Sequence, residues 1–188
     1  MAATVGNYEL SKADLKRLCD PEGLLNDTVV NAYLTRLITT SPRVFAFDSQ
    51  FTALPTHGWP RFLKKVNLLG DHDLLLLPVC NHMHWYLLVV DTFACAIRVY
   101  NSMDNVAEDG DAVRLLRDFL AARHPGAGVS HWPLIRPIEY VPQQTNTADC
   151  GVFVCHFAQC AVRRVACDAF SQDDVPDKRF EMAKELTR

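Results

Sequence analysis

A long apolar run is missing from this 188-residue chain. The longest aliphatic stretch, LLLLPVC at 74–80, is too short to cross a bilayer as a helix. The N-terminus, MAATVGNYEL, has neither the charged start nor the apolar core of a secretory signal. Charge of one sign is not in excess either. Nineteen Lys and Arg stand against 22 Asp and Glu, a net charge of −3, and no basic stripe forms the footprint of a nucleic-acid binder. RFLKK and VRR are short and read as solvated faces. There is no repeat, no low-complexity tract and no linker, so one domain over 1–188 is expected. The seven cysteines are odd in number and lack a framework spacing. Without an export signal they read as reduced thiols in the cytoplasm or nucleus.

The patterning alternates between helix and strand periods. Ser11 is a candidate N-cap with Asp14 at the capping-box offset, and Pro21 and Gly23 end that short helix. Asn26 or Asp27 caps a second helix, in which Val29, Val30, Tyr33, Leu34 and Leu37 recur at helical spacing. Residues 44–69 suggest helical turns broken by Pro55 and Pro60. DLLLLPVC and HWYLLVVDTFACAIRVYN read as strands, the second as a hairpin turning at Thr92-Phe93. DAVRLLRDFLAARHPG is an amphipathic helix. HWPLIRPIEYVPQQ is extended, and its prolines confine it to an edge or an irregular strand. GVFVCHFAQCAVRR is a helix apolar on most faces, and DVPDKRFEMAKELTR a polar terminal helix. The mixture is α+β, with helices gathered around a short sheet.

The candidate chemistry centres on QQTNTADCGVFVCHF, residues 143–157. Cys150 stands at the start of a helix, where the dipole and unpaired N–H groups favour a thiolate. Asp149 can cap that helix, and Gly151 leaves room for a substrate backbone. His84 lies on a strand. A turn at Thr92-Phe93 sets Asn101 opposite it, where an amide fixes the imidazole's tautomer and leaves the other nitrogen for a thiol proton. Asp91 is at the wrong end of the hairpin, and Asp104 could reach only if the chain folded back. Gln144, six residues before Cys150, carries an amide donor suited to an oxyanion, with the Cys150 N–H as a second donor. His82 and His84 share a strand face, yet nothing completes a zinc site; no metal and no cofactor are expected. His131 repeats a His-Trp pair without an orienting partner. The other six cysteines read as core or surface thiols.

Taken together, these motifs resemble the Ulp/sentrin-specific cysteine proteases, which cleave SUMO and related ubiquitin-like modifiers. LLNDTVVNAYL is similar to the family's Trp-Leu-Asn-Asp helix start, and DLLLLPVCNHMHWYLLVVD to its histidine strand. VYNSM is similar to Tyr-Asp-Ser-Met, VPQQTNTADCGVFVCHF to the nucleophile region, and FSQDDVPDKRFEMAKEL to the terminal helix. The resemblance implies a papain-like α+β fold of the adenain/Ulp type, with the nucleophile at a helix N-terminus facing a short mixed sheet. It implies Cys150 as nucleophile, His84 as base, Gln144 as oxyanion donor and Asn101 in the place of the triad acid. Trp85 would cover a channel for a Gly-Gly tail, with Leu24 as the facing wall and Asp27 and Gly151 beside it. The implied partner is SUMO or another ubiquitin-like modifier and its conjugates, acted on by a monomer without nucleic acid or membrane.

Two departures stand out: Asn101 replaces an aspartate, and Leu24 replaces a tryptophan. They motivate a rival reading, a modifier-binding module with weakened catalysis. A second rival keeps the constellation but uses it for other acyl chemistry, as a polyprotein protease or an acetyltransferase. No phosphate-cradling motif supports an acyl-CoA site, and retention of Cys150, His84 and Gln144 favours a working thiol protease or isopeptidase.

Overall fold

The computed structural model describes residues 3–53, 63–103, 110–137 and 141–188. The chain opens with a two-stranded antiparallel hairpin, β1 (Ala3–Val5) and β2 (Tyr8–Leu10). This hairpin was not apparent in the sequence, because three-residue strands carry too few alternations to register. Helix α1 (Lys12–Cys19) follows. Its capping box forms as expected, with Ser11 and Asp14 reciprocally bonded despite the shorter acid. Asn26 caps α2 (Asp27–Ile38) by accepting from the Val29 N–H at 3.1 Å.

A five-stranded sheet runs in the order β3 (Val44–Ala46), β4 (Leu74–Asn81), β5 (His84–Asp91), β6 (Ala96–Tyr100), β7 (Leu134–Ile135). The outer pairings β3–β4 and β6–β7 are parallel; the inner ones are antiparallel. The sheet is therefore mixed. Strand β7 is short and at the edge, where its flanking prolines cost no ladder bond. Strand β3 replaces the helical turns expected from residue 44. Short 3-10 turns at Ser49–Ala53 and Leu63–Lys65 and the brief helix α3 (Leu68–Asp71) account for the rest of that stretch, while Pro55 and Pro60 lie outside the described residues.

Strands β4 and β5 are buried on both faces, which is why they read as continuous apolar runs. Leu74, Leu76, Leu87 and Val89 belong to the core shared with α2, α5 (Cys150–Arg163) and α6 (Val175–Leu186). Leu75, Leu77, Leu88 and Val90 belong to a second core with Phe119 and Leu120 of α4 (Gly110–Arg123). Helix α5 is thus packed directly on β5, which brings the start of one to the start of the other.

Two expectations are corrected. The β5–β6 hairpin does not turn at Thr92-Phe93. Asp91 pairs with Ala96 and Leu87 with Tyr100, so residues 92–95 form the connection, with Cys95 at φ 50°. The slip is two residues. Because side chains alternate with a period of two, the faces are unchanged. The terminal helix α6 is also not simply polar. It buries Val175, Met182 and Leu186, and with them Lys178 and Arg179. Lys178 donates to Tyr33 Oη at 2.9 Å, Gln159 Oε1 at 2.7 Å and Glu181 Oε2 at 3.1 Å. Arg179 donates to the carbonyls of Leu18 (3.2 Å) and Gly23 (2.9 Å) and to Asp149 Oδ1 (2.5 Å). A buried charge is tolerated only when its donors are matched in this way.

Arg179→Met leaves the Asp149 carboxylate buried without its counter-charge. Urea denaturation is expected to show a loss of about 3–5 kcal/mol, the usual cost of breaking one partner from a buried pair. Adding Asp149→Asn should recover part of that loss, and an Arg179→Met protein within about 1 kcal/mol of wild type would contradict the role given to this pair.

Candidate active site

Three chain segments converge where α5 begins. The first is the α5 N-terminus. Asp149 is its N-cap, yet its side chain makes no capping bond. The carboxylate instead accepts from Arg179, from Asn146 Nδ2 at 2.7 Å and from Gln172 Nε2 at 2.6 Å. The expected role of Asp149 as a side-chain cap is therefore corrected: a buried guanidinium out-competes the helix donors for its oxygens. The N–H groups of Val152 and Phe153 go to the Asp149 carbonyl, at 2.8 and 3.0 Å. Those of Cys150 and Gly151, together with the Trp85 N–H, act on the Cys150 sulfur in favour of its charged form.

These three donors favour a thiolate, but they do not win. Cys150 is 2% exposed, and burial pushes its thiol above the ordinary cysteine range, with the Asp149 charge adding to the rise. The expectation of a thiolate at rest is corrected accordingly. The resting group is a thiol that needs a base.

The second segment is β5 with the strand end that follows β6. His84 is 8% exposed, and its Nε2 lies 2.7 Å from Asn101 Oδ1. The same oxygen accepts the Met103 N–H at 3.0 Å. A backbone N–H can only donate, so this contact fixes which end of the Asn101 amide faces the imidazole. Nε2 must then carry the proton, and in the neutral ring Nδ1 is the basic nitrogen. The two-residue slip in register leaves this contact intact, because Asn101 keeps its face. Asp104 lies outside the described residues. Asp91 is tied at the far end of the hairpin to Arg98, at 2.6 Å.

The third segment is 141–149. Gln144 is anchored by its N–H to the Ser102 carbonyl at 2.8 Å. Its Oε1 accepts from the Ser102 hydroxyl at 2.6 Å, and its Nε2 donates to the Asn146 carbonyl at 2.6 Å. Asn146 continues into the α5 N-terminus, its Oδ1 accepting from the N–H groups of Ala148 and Asp149. Gln144 is thereby held at a fixed distance along the chain from Cys150 by side-chain bonds.

Beside the sulfur opens a cleft of about 390 Å³, lined by Leu24, Asp27, Cys80, Met83, Trp85 and Cys150 among others. Of the residues expected to bind a tail, Leu24, Asp27 and Trp85 thus share one cavity. Leu24 is 41% exposed and Trp85 only 5%. The Trp85 indole N–H donates to the Leu25 carbonyl at 3.0 Å, which fixes the ring. Asp27 accepts from Gln50 Nε2 at 3.3 Å. Gly151 serves a different purpose from the one expected. A Cβ there would meet the Leu25 Cβ at 2.8 Å, so the space beside it is filled by protein and not left for substrate. Leu25, quoted in the sequence only as part of the Leu-Asn-Asp motif, has a role of its own: its side chain packs on Gly151 while its carbonyl holds Trp85. Met83 was missed. It is the second residue of the two-residue β4–β5 turn, and both His82 and Met83 have positive φ, 47° and 63°. His82 is therefore in a turn and does not share a strand face with His84. Among the described residues no group of three His, Cys, Asp or Glu could hold a metal ion.

The remaining histidines and cysteines stand apart. His131 closes a 3-10 turn with its side chain exposed. Cys160 Sγ lies 3.3 Å from His156 Nε2 one turn along α5. This second thiol–imidazole pair sits away from any helix start. Burial pushes the His156 imidazole down to about 4 and the Cys160 thiol up.

Residues 24–188 match the model of the Ulp1 protease family, C-terminal catalytic domain. A sentrin-specific protease of Caenorhabditis elegans is 32% identical over 199 residues, covering 96% of this chain and 27% of that protein. Sentrin-specific protease 5 of Mus musculus is 32% identical over 187 residues, covering 95% and 24%. The chain thus spans about a quarter of the length of these curated relatives. Among solved structures, the C-terminal Ulp1 protease domain in complex with Smt3, the yeast ortholog of SUMO, superposes with a TM-score of 0.84 at 23% identity, covering 100% of this chain and 87% of that one. At that identity the likeness establishes the fold, and it is the papain-like α+β fold expected from the sequence.

A raised thiol has a direct consequence for labelling. In the substrate-free protein at pH 7, iodoacetamide should modify the exposed Cys19 and Cys95 ahead of Cys150. Because the Cys150 thiolate forms only above the ordinary range, its labelling rate should still be climbing beyond pH 9. Peptide mapping across a pH series checks this; a Cys150 rate already flat from pH 6 would mean a preformed thiolate.

Proposed function

The chain belongs to the Ulp1 protease family, and on that premise we propose that residues 1–188 form a cysteine protease domain that cleaves the C-terminal Gly-Gly tail of SUMO, in precursors, in conjugates or in both. The observation that carries the reading is the His84–Asn101 contact at 2.7 Å, with Nδ1 left as the base, beside a cleft that contains Cys150. The order of events follows from these groups. The tail lies between Leu24 and Trp85. Nδ1 of His84 takes the Cys150 proton as the sulfur attacks the carbonyl of the last glycine. The oxyanion that forms meets the Gln144 amide and the N–H at the head of α5. His84 returns its proton to the leaving amine, and water then releases the acyl-enzyme. None of these steps calls for a cofactor.

Asn101 is the departure that bears most on rate. It orients the imidazole and, being neutral, does not stabilise an imidazolium as a carboxylate does. This agrees with a thiol that burial keeps protonated at rest. The binding-module reading loses ground on the same geometry, because a binding module has no need for the hydrogen-bonded His84 and Gln144. The seven free thiols suit a reducing compartment, and among the described residues no helix is long and apolar enough to cross a membrane. On the thiols, we place the protein's activity in the cytoplasm or nucleus.

The test is a panel of ubiquitin-like modifiers carrying C-terminal vinyl sulfones. SUMO should form an adduct with wild type and none with Cys150→Ser, while Cys150→Ser should still bind SUMO. Adducts with another modifier and none with SUMO would overturn the substrate assignment.

Leu24 sets the selectivity of the channel. It is smaller than an indole, so the wall facing Trp85 is lower, and a tail ending Ala-Gly is admitted more readily. Leu24→Trp should increase discrimination against Ala-Gly by about 1–3 kcal/mol, the worth of one methyl-sized difference in an apolar pocket. The measurement is the ratio of kcat/KM for Gly-Gly and Ala-Gly tails, and an unchanged ratio would remove Leu24 from the channel wall.

A further inference from the structure

Ser102 is wholly buried, and its hydroxyl and its carbonyl both go to Gln144. The hydroxyl donates to Oε1 at 2.6 Å, and the carbonyl accepts the Gln144 N–H at 2.8 Å. One residue earlier, Asn101 holds His84. Just past the end of β6, this dipeptide reaches the β5 imidazole with one side chain and the 141–149 segment with the next. Gln143 adds a bond to the same place, its Nε2 donating to the Asn101 carbonyl at 3.1 Å.

The orientation of the Gln144 amide follows from its partners. The Asn146 carbonyl can only accept, so Nε2 faces it. Oε1 then faces Ser102, whose hydroxyl must donate. An Nε2 group has two protons. Asn146 takes one, and the other remains for a ligand on the open side of the half-buried amide. We propose that Ser102 is a positioning residue for the reaction: its hydroxyl clamps Gln144 so that the second Nε2 proton points at the developing oxyanion, and the Asn101-Ser102 dipeptide thereby sets the base and the oxyanion donor from one piece of backbone. This rests on the protease reading above and on Gln144 as an oxyanion donor.

Removing the clamp affects the tetrahedral state and not the encounter with substrate. Ser102→Ala should therefore lower kcat by about tenfold with KM little changed, a smaller effect than the roughly 100-fold or greater loss expected on deleting the donor itself with Gln144→Ala. The double variant should be no slower than Gln144→Ala alone, because the hydroxyl acts only through that amide.

Two probes separate positioning from general damage. SUMO ending in glycine aldehyde forms a tetrahedral hemithioacetal whose oxygen occupies the oxyanion site; SUMO vinyl sulfone alkylates Cys150 without one. Ser102→Ala should weaken aldehyde binding about tenfold and leave the alkylation rate within about twofold. An equal loss with both probes assigns Ser102 a structural role and overturns the proposal. Wild-type aldehyde affinity in Ser102→Ala, with affinity lost in Gln144→Ala, overturns it as well. Full affinity in Gln144→Ala instead overturns the oxyanion assignment on which it rests. A substrate-free measurement remains decisive if SUMO is the wrong modifier. In ¹⁵N–¹H spectra, the two Gln144 side-chain protons should sit apart from the solvent-averaged amide signals in wild type and join them in Ser102→Ala; unmoved signals would remove the clamp.

Discussion

An aspartate one residue before the Cys150 sulfur is an electrostatic problem, because its charge opposes a thiolate there and still raises the thiol. The contact between Asp149 and Arg179 offsets that charge in part. Arg179 is 3% exposed and Asp149 2%, so the guanidinium opposes the carboxylate in a medium that screens little. Arg179 also donates to the Leu18 and Gly23 carbonyls, which fixes the chain just before Leu24 and Leu25. One side chain on the last helix thus locks the head of α5 and the wall of the cleft into a single frame. Asn146 and Gln172 complete the carboxylate's shell, and Asn146 passes the constraint on to Gln144. The energy of such a pair relative to an apolar replacement is small or even unfavourable. Its value here is geometric: it sets the distance between a wall, a nucleophile and an oxyanion donor that come from three separated parts of the sequence.

How much of this could be read from the sequence depended on the range of the contact. Cys150, His84, Gln144 and Asn101 were legible because each sits at a fixed offset within one strand, hairpin or helix start. Even the wrong turn between β5 and β6 left Asn101 beside His84, since an even slip preserves the face of every side chain. Contacts across the fold were not legible. Arg179 in DVPDKRFEMAKEL reads as one more solvated charge, and its burial depends on Asp149 and on two carbonyls more than 150 residues away. Leu25 was visible only as the leucine of the Leu-Asn-Asp helix start, and its role appears only when Gly151 is seen packed against it. Gly151 was read as leaving room for a substrate backbone, and Leu25 occupies that room instead. Ser102 was visible only as part of a motif, because a hydroxyl gains meaning from the amide it faces. The thiol's protonation was misread for a related reason. Helix-start donors are visible in sequence, and the burial that outweighs them is not.

The neutral pieces of the site are mutually consistent. A buried thiol and the side-chain amides of Asn101 and Gln144 add no charge of their own beside Cys150, where the nearby charges are the Asp149–Arg179 pair and Asp27 in the cleft. An aspartate at position 101 would add an uncompensated carboxylate to a half-buried strand end, a cost that falls when an imidazolium stands next to it. On the proposed mechanism, charge separation with asparagine is confined to the moments when the thiolate and the oxyanion are formed, and the oxyanion is left to the Gln144 amide and the N–H groups at the head of α5. The weaker the help His84 receives from residue 101, the more of the barrier is left to those donors. A chain with Asn101 therefore depends more heavily on the exact placement of Gln144 than one with a carboxylate would. That placement is made by the residue next to Asn101 itself, through a hydroxyl that is fully shielded from water.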